Sequence, residues 1–168
     1  MSTQEVLQSI PKEMKTDSGV AHKDRSALAT QLSGNLADTY LLYLKTQNVH
    51  WNVVGPLFYS VHKLTESQYQ DMAEAIDSLA ERIRAIGFVA PGSFVQFSKH
   101  SDISEMTNND NTETMIQQLV EDNDTCSRNL RATVVEAEAV GDVKTADLLT
   151  ERIGAHEESS WMLRALMS

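Results

Sequence analysis

Five side chains able to bind a transition metal, His50, His62, Glu66, Asp77 and Glu81, fall within one short stretch of this chain. Imidazole and carboxylate together hold ferrous iron with coordination positions left open, an arrangement suited to redox work with oxygen species. His62 and Glu66 are four residues apart, as are Asp77 and Glu81, so each pair shares one face of a helix. Between Glu66 and Asp77 a helix would advance about 16 Å. Iron and zinc hold their ligands at only about 2.0–2.2 Å, so one helix cannot close both pairs around one ion. An antiparallel copy of the same helix can bring its Asp77 and Glu81 opposite His62 and Glu66. A two-fold dimer would then carry two equivalent sites, each built from both chains. Taken singly, the same residues are unremarkable. His50 is then a packing or capping residue, His62 and Glu66 an exposed helix pair, and Asp77 and Glu81 a solvated face near Arg82 and Arg84. Trp51, beside His50, has two readings: a redox-active aromatic next to the metal, or core packing.

Helices have to carry these residues. Pro and Gly are few, at 3 and 7, and the chain is rich in helix formers. Asp24 or Ser26 can cap a first helix whose apolar stripe is Leu28, Leu32, Leu36, Tyr40, Tyr43 and Leu44. The segment at residues 53–57, with Gly55 and Pro56, breaks it. A second helix is expected from about Phe58 to Ile86, with Val61, Leu64, Met72, Ile76, Leu79, Ile83 and Ile86 inward and Gly87 as its stop. A long connection follows, roughly residues 87–111, in which Phe94, Val95 and Phe97 suggest a short helix. The next long helix, about Thr112 to Ala139, buries Ile116, Leu119, Val120, Leu130 and Val134. Gly141 and Asp142 make a turn and a cap before the last helix, about Val143 to Leu166. The expectation is an all-α fold: four long helices, with one long crossover holding a short helix between the second and third. That is the ferritin-like four-helix-bundle plan. Residues 1–23, polar and without a sustained period, read as a flexible N-terminal tail, and residues 24–168 as one bundle domain.

Composition excludes several classes. No run approaches the length of a membrane span, and the first thirty residues lack the apolar core of a signal peptide. The lone Cys126 excludes an internal disulfide framework, fits a cytoplasmic setting, and reads as a small buried apolar residue. A formal charge of −10 opposes a grip on phosphate backbones and suits a protein that attracts cations. No Glu-x-x-His spacing occurs, which removes the bundle-core di-iron centre and moves the metal chemistry to an interface.

The stretch HWNVVGPLFYSVHKLTESQYQDMAEAIDSLAERIRAIG, residues 50–87, resembles the signature region of the Dps family, the small ferritin-like proteins named for DNA binding in starved cells. The likeness extends over all four helices to HEESSWMLRAL at residues 156–166. It implies a hollow dodecamer built from two-fold dimers, an iron-storing ferroxidase (mini-ferritin). Ferrous iron would be oxidised, preferably by hydrogen peroxide, at di-iron sites between subunits. His50, His62 and Glu66 would come from one chain and Asp77 and Glu81 from its neighbour. The family usually has Asp where this chain has Glu66, a carboxylate with one more methylene of reach. Asp142, Asp147 and Glu151 match acidic positions lining the three-fold pores, and Asp71 and Glu74 are candidates for nucleating mineral on the inner surface. His156 could support the dimer interface, whereas His22 and His100 should face solvent. The rival reading is a nucleoid-compacting DNA-binding protein with secondary iron chemistry. Within residues 1–25, however, four basic groups meet Glu5, Glu13, Asp17 and Asp24.

Overall fold

The computed structural model describes residues 10–106 and 110–168. Five helices follow in order: α1 (His22–Asn52), α2 (Phe58–Ala85), α3 (Phe94–His100), α4 (Thr112–Ala139) and α5 (Val143–Leu166), with no strand among the described residues. The ferritin-like bundle expected from periodicity is what forms. Side-chain oxygens close three of the starts. Ser93 accepts from the Gln96 amide, Asn111 from Thr114 and Asp142 from Thr145, each satisfying an otherwise orphaned N–H. Neither Asp24 nor Ser26 caps α1. That helix starts two residues earlier than the first of them, behind Ala21, which offers no side-chain cap, and Asp24 lies in its first turn.

Two apolar clusters fill the bundle. One joins Leu28, Leu32 and Leu36 of α1 to Leu79 and Ile83 of α2, Leu130 of α4, Leu149 and Ile153 of α5, and Phe97 of α3. The other joins Leu42 and Val49 of α1 to Val61 and Met72 of α2, Ile116, Leu119 and Cys126 of α4, and Leu163 of α5. Each cluster pairs the late half of α2 with the late half of α4, or early with early, so these two helices run parallel. The crossover exists to permit that. Buried polar residues lie between the clusters, among them Asp38 and Thr39 on α1, Ser127 on α4 and His156 and Ser160 on α5.

Asp38 pins the crossover to the bundle. One carboxylate oxygen accepts from the Ser101 hydroxyl at 2.8 Å and the Asp102 amide at 2.7 Å, and the other from Asn129 at 2.8 Å. Lys45 adds a bond from its ammonium to the Ser104 carbonyl at 2.9 Å and an ion pair with Asp122. Burial dominates at Asp122 and pushes its carboxyl above the usual range despite that pair.

The described part of the N-terminal segment carries no helix or strand before α1. Residues 1–9 lie outside the described part, but residues 10–21 are tied down. The Met14 amide donates to the Gly87 carbonyl at 2.7 Å, and the Arg25 guanidinium reaches the carbonyls of Ile86, Val20 and Thr16 at 2.7, 3.1 and 3.3 Å. Gly87 makes this approach possible on two counts. Its φ is +108°, and a Cβ there would stand 2.7 Å from the Met14 carbonyl oxygen.

Candidate metal centre

Val53, Gly55 and Pro56 turn the chain so that the last turn of α1 faces the first turns of α2. Gly55 supplies the positive φ, +90°, that the turn needs. The turn sets the His50 and His62 rings face to face, centroids 3.8 Å apart and planes 16° apart. Each ring also bonds the other's backbone. His50 Nδ1 lies 2.8 Å from the His62 carbonyl oxygen, and His62 Nδ1 lies 2.9 Å from the His50 carbonyl oxygen. A carbonyl can only accept, so both Nδ1 atoms carry the proton. In the neutral rings each Nε2 is then an unprotonated lone pair, the form that ligates metal, with ring orientation fixed by the backbone bond. Thr65, fully buried about two turns into α2, donates its hydroxyl to the Val61 carbonyl at 2.7 Å and lies 3.5 Å from His50 Nδ1.

Glu66 follows His62 by one turn on the same face. Lys63 donates to it at 2.8 Å, and this bond, then the lysine charge, holds the Glu66 carboxyl below the usual carboxylate range, with His50 and His62 adding a little. Glu66 is therefore anionic at neutral pH, and a metal ion arriving there must displace an exposed ammonium. Sequence reasoning did not foresee Lys63 in that place, although its spacing from Glu66 is helical. It also missed Tyr69, whose ring stands edge-on to His50 at 5.2 Å.

Asp77 and Glu81 lie further along α2, both exposed and making no ion pair among the described residues. The rise of α2 separates Asp77 from Glu66 by about 16 Å and Glu81 by about 22 Å. Among the described residues no three metal-binding side chains gather within a single chain. The chain therefore brings together His50 and His62, places Glu66 one helical turn beyond His62 in an ion pair with Lys63, and leaves Asp77 and Glu81 apart.

Trp51 is 62% exposed, so within the chain it is not a core residue. It lines a groove of about 400 Å³ with Tyr40, Leu44, Phe94 and Met106. Exposed Phe58 and Tyr59 add apolar area at the start of α2.

The acidic residues assigned to a pore separate. Asp142 is 4% exposed, and its carboxylate accepts from Arg82 at 2.5 Å, from the Thr145 amide at 3.1 Å and from the Thr145 hydroxyl at 2.7 Å. Burial is the largest single influence and raises its pKa, but these bonds together outweigh it and hold the carboxyl low. Asp142 is thus a helix cap and half of an internal ion pair within the chain. Asp147 and Glu151 are exposed, Asp147 beside Lys144 at 2.9 Å. Asp71 is held by Arg152 at 2.8 Å, while Glu74 is exposed. His156 is inside its own bundle, 1% exposed, bonded through Nδ1 to Asn123 at 2.9 Å, and is no surface residue of an interface. Burial lowers its pKa to about 3. No helix among the described residues is long and apolar enough to cross a membrane.

A ferritin-like domain model matches residues 29–168. An uncharacterised low temperature-induced protein of Nostoc is 38% identical over 151 residues, covering 89% of this chain and 84% of that protein. DNA protection during starvation protein 2 of Bacillus anthracis is 32% identical over 137 residues, 82% of this chain and 94% of that one. Among solved structures, a Dps protein from Vibrio cholerae, described as a member of a broad superfamily of ferritin-like diiron-carboxylate proteins, superposes with a TM-score of 0.86. It is 30% identical and covers 94% of this chain and all of its own.

Proposed function

The chain belongs to the Dps family of ferritin-like proteins, and from that footing we propose that it is a ferroxidase whose iron sites are completed across a two-fold seam. His50, His62 and Glu66 of one subunit face Asp77 and Glu81 of the partner subunit, and the shell is a dodecamer. The observation that carries this is the reciprocal bonding of His50 and His62, which leaves two Nε2 lone pairs beside one anionic carboxylate. Half a coordination set results. The exposed Asp77 and Glu81, unpaired on the same helix, are the complementary half.

Ferrous iron is the substrate. Neutral imidazole accepts it without losing a proton, and the carboxylates favour the ferric product over the ferrous one. Hydrogen peroxide is the preferred oxidant. Two ferrous ions at one site each give one electron, the peroxide O–O bond breaks, and two waters form after uptake of two protons. No hydroxyl radical leaves. Ferric ions then move inward and deposit as an oxyhydroxide, with Glu74 among the inner acidic groups and Asp147 and Glu151 along the route of entry. The setting is cytoplasmic, and protection of the cell from oxidative damage follows from consuming both reactants. The charge of −10 supports this reading over nucleoid compaction.

The test exchanges His50 and His62 for Gly. Rapid formation of ferric absorbance after peroxide should be lost while the mass of the assembly is unchanged. Oxidation at the wild-type rate by that double variant would end the ligand assignment.

A further inference from the structure

The two halves of the candidate centre are held in different ways. His50 and His62 fix each other through reciprocal bonds, and Lys63 holds Glu66. Asp77 and Glu81 are exposed and make no hydrogen bond or ion pair among the described residues. The backbone of α2 therefore decides where their carboxylates project. That backbone is anchored at Glu81 and just past it by two guanidiniums. Arg82, the next residue, reaches the start of α5, donating through Nε to the buried Thr145 hydroxyl at 2.8 Å and through a terminal nitrogen to Asp142 at 2.5 Å. Arg25, buried in the first turn of α1, donates to the Ile86 carbonyl at 2.7 Å. Beside it the Met14 amide donates to the Gly87 carbonyl at 2.7 Å. Carbonyls at a helix end have no partner in the helix itself, so these donors complete the end of α2. Ile86 lies about 7.5 Å beyond Glu81 along the axis.

We propose that Arg82 and Arg25 are positioning residues for the site that borrows this chain's acids: they fix the end of α2 so that Asp77 and Glu81 reach across the seam in register with the neighbouring histidines. The proposal rests on the ferroxidase reading above, and neither arginine touches iron. Arginine suits the task because its planar fork bonds acceptors in set directions, which a lysine ammonium does not. With either anchor gone, the last turns of α2 open more readily, and acids with no other hold move with them. Ties of this kind also stabilise a bundle wherever they occur. A positioning role differs in acting on one site only. Damage in one chain is felt at the site that uses that chain's acids, and not at the site built on its own histidines.

The experiment uses assemblies of two full-length chains. One carries His50→Gly/His62→Gly and supplies only acids; the other carries Asp77→Asn/Glu81→Gln and supplies only His50, His62 and Glu66. A mixed dimer then holds one whole site. Arg82→Lys, or separately Arg25→Gln, is added to one chain or to the other. Ferric absorbance after ferrous iron and peroxide is followed, with assembly mass and the share of mixed dimers measured in each case. Added to the acid-supplying chain, either change should cut the recovered rate several-fold, since a displacement of about 1 Å can cost on the order of a hundred-fold. Added to the histidine-supplying chain, it should leave the recovered rate as it was. Equal loss in both placements, loss only in the histidine-supplying chain, or no loss in either would each overturn the positioning role. Arg25→Gln carries the same comparison by itself if Arg82→Lys fails to assemble. A different pattern marks failure of the shared site: mixed dimers with both arginines intact would recover no activity, and the positioning role would fall with it.

Discussion

A site shared between two copies of one chain can be tested by complementation, because broken halves regain activity only when mixed. Consider two variants, each inactive by itself. One carries His50→Gly and His62→Gly, and the other carries Asp77→Asn and Glu81→Gln. In a dimer with one chain of each kind, the first site joins glycines to amides and is doubly broken. The second joins intact histidines and Glu66 to an intact Asp77 and Glu81. Random pairing makes about one half of the dimers mixed, and one of two sites in each is whole, so about a quarter of wild-type ferroxidase rate should return. The separation of the two ligand sets along α2, about 16 Å, is what forbids rescue inside one chain. The assay is stopped-flow ferric absorbance after the two proteins are unfolded together and refolded, with each alone refolded as a control and assembly mass checked throughout. Recovery near zero, with mixed dimers demonstrated by mass, would refute the shared site, and recovery near full activity would refute the assumption that each variant is dead.

Other expectations follow from partners inside the chain. Lys63→Gln removes the ammonium that competes for Glu66, so ferrous affinity measured by calorimetry should rise a few-fold, the modest weight of an exposed pair. His156 is held neutral with its pKa lowered to about 3 from 6.5. A depressed pKa means the unfolded chain takes the proton first, so this group's contribution to stability is full above pH 6.5 and is lost as pH falls toward 3. Between pH 6.5 and 5 wild type should lose about 2 kcal/mol that His156→Gln does not, read from urea unfolding at each pH. Asp142→Ala removes a cap and strands Arg82, which should cost about 3–5 kcal/mol of stability at neutral pH. Because the carboxyl is held low, that difference should be complete above the ordinary value of 3.8 and close as pH falls below it. A residue serving only to line a passage would leave unfolding unchanged.

The bundle was legible because helix periodicity and turn chemistry are local. Leu28, Leu32 and Leu36, or Leu79 and Ile83, announce a buried face by spacing alone, and Gly87 and Gly141 announce stops. Leu44 shows where periodicity misleads. It continues the α1 stripe yet is 45% exposed, because the stripe there faces the groove beside Trp51 and not the bundle. The docking of residues 10–21 was illegible for a related reason. Arg25 organises it by reaching carbonyl oxygens, and any sequence supplies carbonyls, so no residue pattern marks the contact. Asp142 was ambiguous by nature, since a carboxylate at a helix start serves a cap or a cation equally. Arg82, sixty residues away, decides for the cap.

The candidate centre divides along the same line. Residue types and spacing single out His50, His62, Glu66, Asp77 and Glu81, but spacing says nothing about which ring nitrogen is protonated. That depends on two backbone carbonyls brought close by the turn at residues 53–57, and it is what leaves each ring's Nε2 free to accept. The same turn lays the end of α1 along α2, and so sets Tyr69 of one helix against His50 and Tyr43 of the other. The paired histidine rings and their contact with Tyr69 therefore share one cause. A change at Gly55 that altered the turn should disturb ring stacking, Nε2 availability and the Tyr69–His50 ring contact together, and the ring-proton shifts of His50 and His62 in NMR spectra would show it.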